Sequence, residues 1–173
     1  MNIADTALPG VKLVTPEPAA DERGFFARTF CGKTFARHGM AGTFSQCSVS
    51  FNHRRGTLRG LHYQAAPHEE AKLVRCTRGA MFDVAVDLRP GPTYGQWVGA
   101  ELSAANRHAL YLPPGVAHGF QTLSDDCEVF YQISPDFVPE AARGIRYDDP
   151  AIGIDWPLPI SVISERDSAL PAL

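Results

Sequence analysis

Two neighbouring stretches concentrate the residues able to do chemistry: TLRGLHYQ at 57–64 and AKLVRC at 71–76. Both have the composition of strands. They bring one imidazole, His62, close to Arg59, Lys72 and Arg75, and the expectation is that all four face one concavity. A nearby positive charge favours neutral imidazole, the form a general base needs. An ammonium beside it stabilises an enolate oxygen, and guanidinium groups hold phosphate. This set suits removal of a proton from a carbon next to a carbonyl, in a molecule that also carries phosphate.

Each residue also has a plainer reading. A lone histidine in a strand is commonly structural. Lys72, one of three lysines, sits among apolar neighbours, so it is either an ammonium aimed at an anion or a snorkelling surface side chain. Tyr131, in EVFYQ, is by default a core aromatic, and Asp167, in ISERD, reads as a surface charge. His118 follows a Pro-Gly turn in PPGVAHGF. His62 and His118 together are similar to the two histidine-bearing motifs of cupin barrels, which supply a His-x-His pair, a carboxylate and a distant histidine to a metal. Here Gln64 stands at the second position of the pair, and His68, Glu69 and Glu70 fall in a loop. Two ligands remain where a metal site needs three or four, which argues against a metal centre.

The elements that must position these residues are strands. Alternation outweighs helical period. FDVAVDL at 82–88 puts Phe82, Val84, Val86 and Leu88 on one face and Asp83, Ala85 and Asp87 on the other. TFSQCSVSF, HALYLP and EVFYQI are further strand-like runs, separated by RPGPTYG, PPG and SDD turns. Only GKTFARHG at 32–39 suggests a short helix. The expected fold is all-β, an antiparallel sandwich or barrel with a few short peripheral helices, in one domain spanning 1–173. The tail at 158–173 carries Ile160, Val162 and Ile163 and is expected to pack back.

Bulk properties narrow the class. The net charge is −3, so nothing draws the whole chain to nucleic acid, although Arg54, Arg55, Arg59, Lys72, Arg75 and Arg78 form a basic cluster in sequence. No apolar run is long enough to span a bilayer and no leader pattern opens the chain, so a cytoplasmic protein is expected. The four cysteines make no CxxC pair; Cys76 and Cys127 read as reduced core thiols.

An ordered set of motifs then stands out: DERGFF at 21–26, TLRGLHYQ, AKLVRC, FDVAVDLR, ELSAANR, PPGVAHGF, DDPAIGIDWP at 148–157 and ISERD. Together they resemble the dTDP-4-dehydrorhamnose 3,5-epimerase family over nearly the whole chain. The resemblance implies a cupin-type jelly roll without metal or cofactor. It implies a homodimer that exchanges N-terminal strands, and a dTDP-linked 4-keto-6-deoxyhexose inverted at carbons 3 and 5. It implies His62 as general base, Asp167 as the carboxylate that orients it, Tyr131 as general acid and Lys72 as the cation beside the oxyanion. Arg23 (reaching a partner's pocket), Phe26, Gln46, Arg59, His118, Phe137 and Arg166 match substrate-binding positions, as does Lys72.

Departures lie in the substrate shell. Phe137 replaces a base-stacking tyrosine, keeping the ring and losing the hydroxyl. Arg28 and Ala142 stand where glutamates are usual, and Cys47 falls in an altered QDN signature. These changes leave open a CDP- or GDP-linked substrate or inversion at one centre. Two other classes remain as alternatives: a metal-dependent cupin oxygenase or isomerase, and a non-catalytic sugar-nucleotide binding module.

Overall fold

The computed structural model describes residues 1–173, which form two facing antiparallel sheets and a separate hairpin. The first sheet has the order β1 (Asn2–Asp5), β2 (Lys12–Thr15), β10 (Ala109–Leu112), β7 (Ala71–Arg78), β12 (Cys127–Ser134), β5 (Gln46–Asn52). The second has the order β13 (Ala142–Gly144), β6 (Leu58–Gln64), β11 (Val116–Thr122), β8 (Ala80–Asp87), β9 (Trp97–Ser103). Chain neighbours are repeatedly split between sheets, as in a cupin-type jelly roll. The hairpin pairs β3 (Ala19–Asp21) with β4 (Gly24–Phe26).

Alternation decides what each face buries. Val74 and Cys76 of β7, Ala85 of β8, Phe120 of β11 and Val129 of β12 meet between the sheets in one apolar core. Residues of opposite parity build two outer layers. Ala71 and Leu73 lie under α1 (Gly32–Arg37), whose buried Phe35 packs edge-on to Phe30, Phe44 and Tyr111. Val84 and Val86, with Phe82 and Leu88 beside them, lie under Ile145, Ile152 and Trp156. Both faces of β8 are therefore covered. Asp83 and Asp87 are buried, whereas simple alternation would give one face to water.

The tail returns to the body through backbone bonds. Leu58 N–H donates to the Val162 carbonyl at 2.9 Å, Ser161 N–H to Gly56 at 3.0 Å and Arg146 N–H to Pro171 at 2.8 Å. It carries a second short helix, α2 (Glu165–Ser168), whose N-cap Ser164 accepts the Asp167 N–H on its hydroxyl at 3.0 Å. No helix is long and apolar enough to cross a membrane.

Candidate active site

A β-bulge aims the central imidazole. Strands β6 and β11 pair with His62 opposite His118 and Arg59 opposite Phe120. Two residues, Gly60 and Leu61, thus face one, Gly119. An odd spacing of three would ordinarily send Arg59 and His62 to opposite faces; the extra residue restores them to one. Glycine is required at the bulge. Gly60 has φ of +120°, and a Cβ there would lie 2.5 Å from the Gly119 Cα.

The cavity so formed, of about 340 Å³, lies between the sheets at one end of the apolar core. Its walls include Arg59, His62 and Gln64 from β6, Lys72 from β7, His118 from β11, Tyr131 from β12, Phe137, and Arg166 from α2. His62 Nε2 lies 2.8 Å from Asp167 Oδ1, and the other Asp167 oxygen accepts the Gly60 N–H at 3.0 Å. Burial acts to raise the Asp167 carboxyl. The bonds from His62 and Gly60, and the charges of His62 and Arg166, outweigh it and hold the group below the usual carboxylate range. The carboxylate engages Nε2, which leaves Nδ1 as the free ring nitrogen of His62.

Facing this dyad, Tyr131 comes from the other sheet. Burial first, and the nearby charge of Asp83 second, push its phenol well above the ordinary range. It therefore remains a protonated O–H at any working pH. Lys72 is buried and paired with Glu70 at 2.8 Å, and its ammonium donates to the His62 carbonyl at 3.3 Å. The snorkelling alternative is thereby excluded. A second dyad backs the cavity: His118 Nε2 lies 2.7 Å from Asp83 Oδ1, and its ring stands edge-on to Tyr131 at 5.8 Å. Arg59 is steadied by buried Asn52, whose Oδ1 accepts the Arg59 Nε–H at 2.7 Å.

Several expectations need correction. Arg75 does not share the concavity. It is three residues from Lys72 with no bulge between them, so it points to the opposite face, stacked over Phe130 at 5.4 Å. Of the six clustered cations only Arg59 and Lys72 reach the cavity. Arg55 donates to the Leu123 carbonyl and Arg78 pairs with Asp126, both at the surface. Asp167 is not a surface charge; it is 5% exposed. Glu70 lies in the loop before β7, as expected, but it is buried there as the partner of Lys72. Gln46 lies beside the site, its Oε1 accepting the Phe137 N–H at 3.0 Å. Arg23 and Phe26 do not line the cavity of their own chain; they lie on the exposed hairpin, where Arg23 pairs with Asp21. Asp83, Glu70 and Asn52 were missed as site residues. The one available signal was that the Asp83 face of FDVAVDL carries alanine and aspartate but no lysine, glutamate or serine.

No three His, Cys, Asp or Glu side chains converge as metal ligands would. The cavity wall holds an imidazole paired with a carboxylate, a buried phenol, several cationic side chains and an exposed aromatic ring.

A model of the dTDP-4-dehydrorhamnose 3,5-epimerase family matches residues 5–173. A dTDP-4-dehydrorhamnose 3,5-epimerase of Sinorhizobium fredii is 46% identical over 100% of this chain and 90% of its own. The solved dTDP-6-deoxy-D-glucose-3,5-epimerase of Legionella pneumophila, in complex with dTDP-4-keto-L-rhamnose, superposes with a TM-score of 0.92 at 39% identity, covering 99% of this chain and 92% of that one. A 3'-monoepimerase of Streptomyces bikiniensis, in complex with dTDP-quinovose, gives 0.90 at 34% identity, covering 98% and 86%. With a full-length family match and relatives this similar over the whole chain, the protein belongs to the dTDP-4-dehydrorhamnose 3,5-epimerase family.

Proposed function

We propose that this chain is an isomerase that inverts carbon 3, or carbons 3 and 5, of a dTDP-linked 4-keto-6-deoxyhexose. The observation that carries the reading is the His62–Asp167 dyad in one sheet's wall with Tyr131 in the other's. Inversion needs a proton removed from one face of a carbon and returned to the opposite face, and two facing sheets supply a base and an acid on opposite sides.

In this reading Nδ1 of His62 takes the proton from the carbon beside the ketone. The C–H electron pair becomes the new C=C bond, and the carbonyl pair moves onto the carbon-4 oxygen. Lys72 offsets the charge that develops there. Asp167 orients the ring and stabilises the imidazolium. The Tyr131 O–H delivers its proton to the opposite face, and solvent then re-equilibrates phenolate and imidazolium. Arg59, His118 and Arg166 are the groups assigned to hold the nucleotide sugar, and Phe137 offers its ring to the base.

The test is wash-in of solvent deuterium from heavy water into dTDP-4-keto-6-deoxyglucose, followed at both carbons by NMR. Reading both carbons separates a 3,5-epimerase from a 3-epimerase. Wild-type protein is expected to exchange, and His62→Ala to stop. Wild-type protein that leaves every such substrate unexchanged sinks the reading.

The proposal extends to a homodimer. Every residue of the β3–β4 hairpin is exposed, Phe26 at 77%, and Val49 and Phe51 stand exposed on edge strand β5. A hairpin without a core of its own, beside an open sheet edge, calls for a partner surface. An exchanged hairpin would carry Arg23 and Phe26 to the other subunit's cavity. Sedimentation at micromolar concentration is expected to give a dimer, and a monomer alone would count against it. A cytoplasmic setting belongs to the same proposal.

A further inference from the structure

Gln64 has no part in the proton chemistry, yet it is held more tightly than most of the cavity wall. It lies two residues after His62 on the same face of β6 and is 2% exposed. Both ends of its amide are engaged. Oε1 accepts the Val138 N–H at 2.6 Å, and Nε2 donates to the His68 carbonyl at 3.0 Å. One side chain thus ties the end of the base-bearing strand to both connections at the cavity mouth, 65–70 and 135–138. The adjacent N–H, of Phe137, is held by Gln46 from the facing sheet at 3.0 Å. Two glutamine amides, one from each sheet, therefore fix consecutive backbone N–H groups. The side chain between them, Phe137, is 52% exposed and stands at the cavity wall.

We infer that Gln64 is a positioning residue: by holding Val138 it fixes the 135–138 segment so that the Phe137 ring is presented to the nucleobase of the substrate. The inference rests on the proposed function. An exposed aromatic on a loop would sample several orientations, and ordering it at binding weakens affinity. A pre-set ring avoids that loss. The position is the one where a metal-binding cupin motif would carry its second histidine; here the amide reaches along the strand to the loops.

The test compares dTDP with inorganic pyrophosphate, which lacks the base, by titration calorimetry. Gln64→Met, of similar length, removes both bonds. It is expected to weaken dTDP about tenfold, within the range of one base–aromatic contact, and to leave pyrophosphate unchanged. KM of the sugar nucleotide should rise with most of the loss falling there rather than in kcat. In the Phe137→Ala background the same substitution should add little, because the two act through one ring. A general loosening of the fold would weaken both ligands together and would overturn the inference, as would an unaltered dTDP-to-pyrophosphate ratio. If Gln64→Met does not fold, Gln64→Glu decides. It keeps the acceptor for Val138, and its charge affects the two diphosphates alike, so the ratio should stay near wild type; a collapsed ratio overturns the role. Wild-type protein that binds no dTDP fails the function proposal itself, whereas normal wild-type binding with an insensitive Gln64 fails this inference alone.

Discussion

The two histidine–carboxylate pairs lie side by side on adjacent strands, yet their settings differ. His62 and His118 are cross-strand partners, and their carboxylate distances are 2.8 and 2.7 Å. The His62 side chain is 39% exposed into the cavity, and that of His118 is 5% exposed. Asp167 has both oxygens bonded, whereas Asp83 has one oxygen, Oδ2, buried without a partner. Asp167 arrives from a short helix on the returning tail; Asp83 is locked in the middle of β8. Equal bond lengths therefore do not make equal roles. Access to the cavity suits His62 to move a proton, and enclosure suits His118 to hold one fixed donor geometry beside Tyr131.

The sharpest way to break this contrast is to remove each imidazole. His62→Ala is expected to lower kcat by about 10²–10⁴-fold and end deuterium wash-in. His118→Ala should mainly raise KM and leave wash-in measurable. Equal losses of exchange in the two variants would erase the distinction drawn here.

The bulge is the next point of attack, because it sets the two rings opposite each other. Gly60→Ala places a Cβ against Gly119 at a φ of +120°. Backbone strain of about 1–3 kcal/mol and crowding of similar size should appear in urea unfolding, with a fall in kcat as His62 is re-aimed. Wild-type stability in this variant would remove the bulge from the argument.

Two smaller effects sharpen the electrostatics. Burial and then Asp83 raise the Tyr131 phenol, so Asp83→Asn should move it back towards its ordinary value. Alkaline ultraviolet titration reads this, with Tyr131→Phe subtracted to isolate one of the five tyrosines. Asp167 lies below its ordinary value in the folded state, so its bonds stabilise the protein above the unfolded value of about 3.9 and fade as pH falls through the folded one. Urea midpoints of wild type and Asp167→Asn should therefore converge on acidification from about pH 5 to about pH 3. A gap that widens on acidification would reverse the assigned sign.

How far the site was legible can be followed residue by residue. His62 and Lys72 were legible through their company: an imidazole three residues from Arg59, and a lysine among apolar neighbours one short connection away. Arg75 was misread by proximity in sequence, although parity along β7, which carries no bulge between Lys72 and Arg75, excluded it. Arg59 was placed correctly, but the reason, a bulge, is invisible without the pairing of β6 with β11. Asp83 and Glu70 were missed because a buried carboxylate is recognisable only with its partner in view.

Taken alone, the sequence determined several of the strands and the turns between them, the all-β class and, through an ordered set of motifs, the family. These follow from periodicity and local turn chemistry, which operate over a few residues, and from the motif order. Tertiary structure decided which faces meet, how Asp167 from the tail comes to lie against His62 over a hundred residues earlier, and which of two similar dyads opens to the cavity. Those outcomes depend on register, a one-residue bulge and the path of the returning tail. All three are set by packing between segments far apart in the chain.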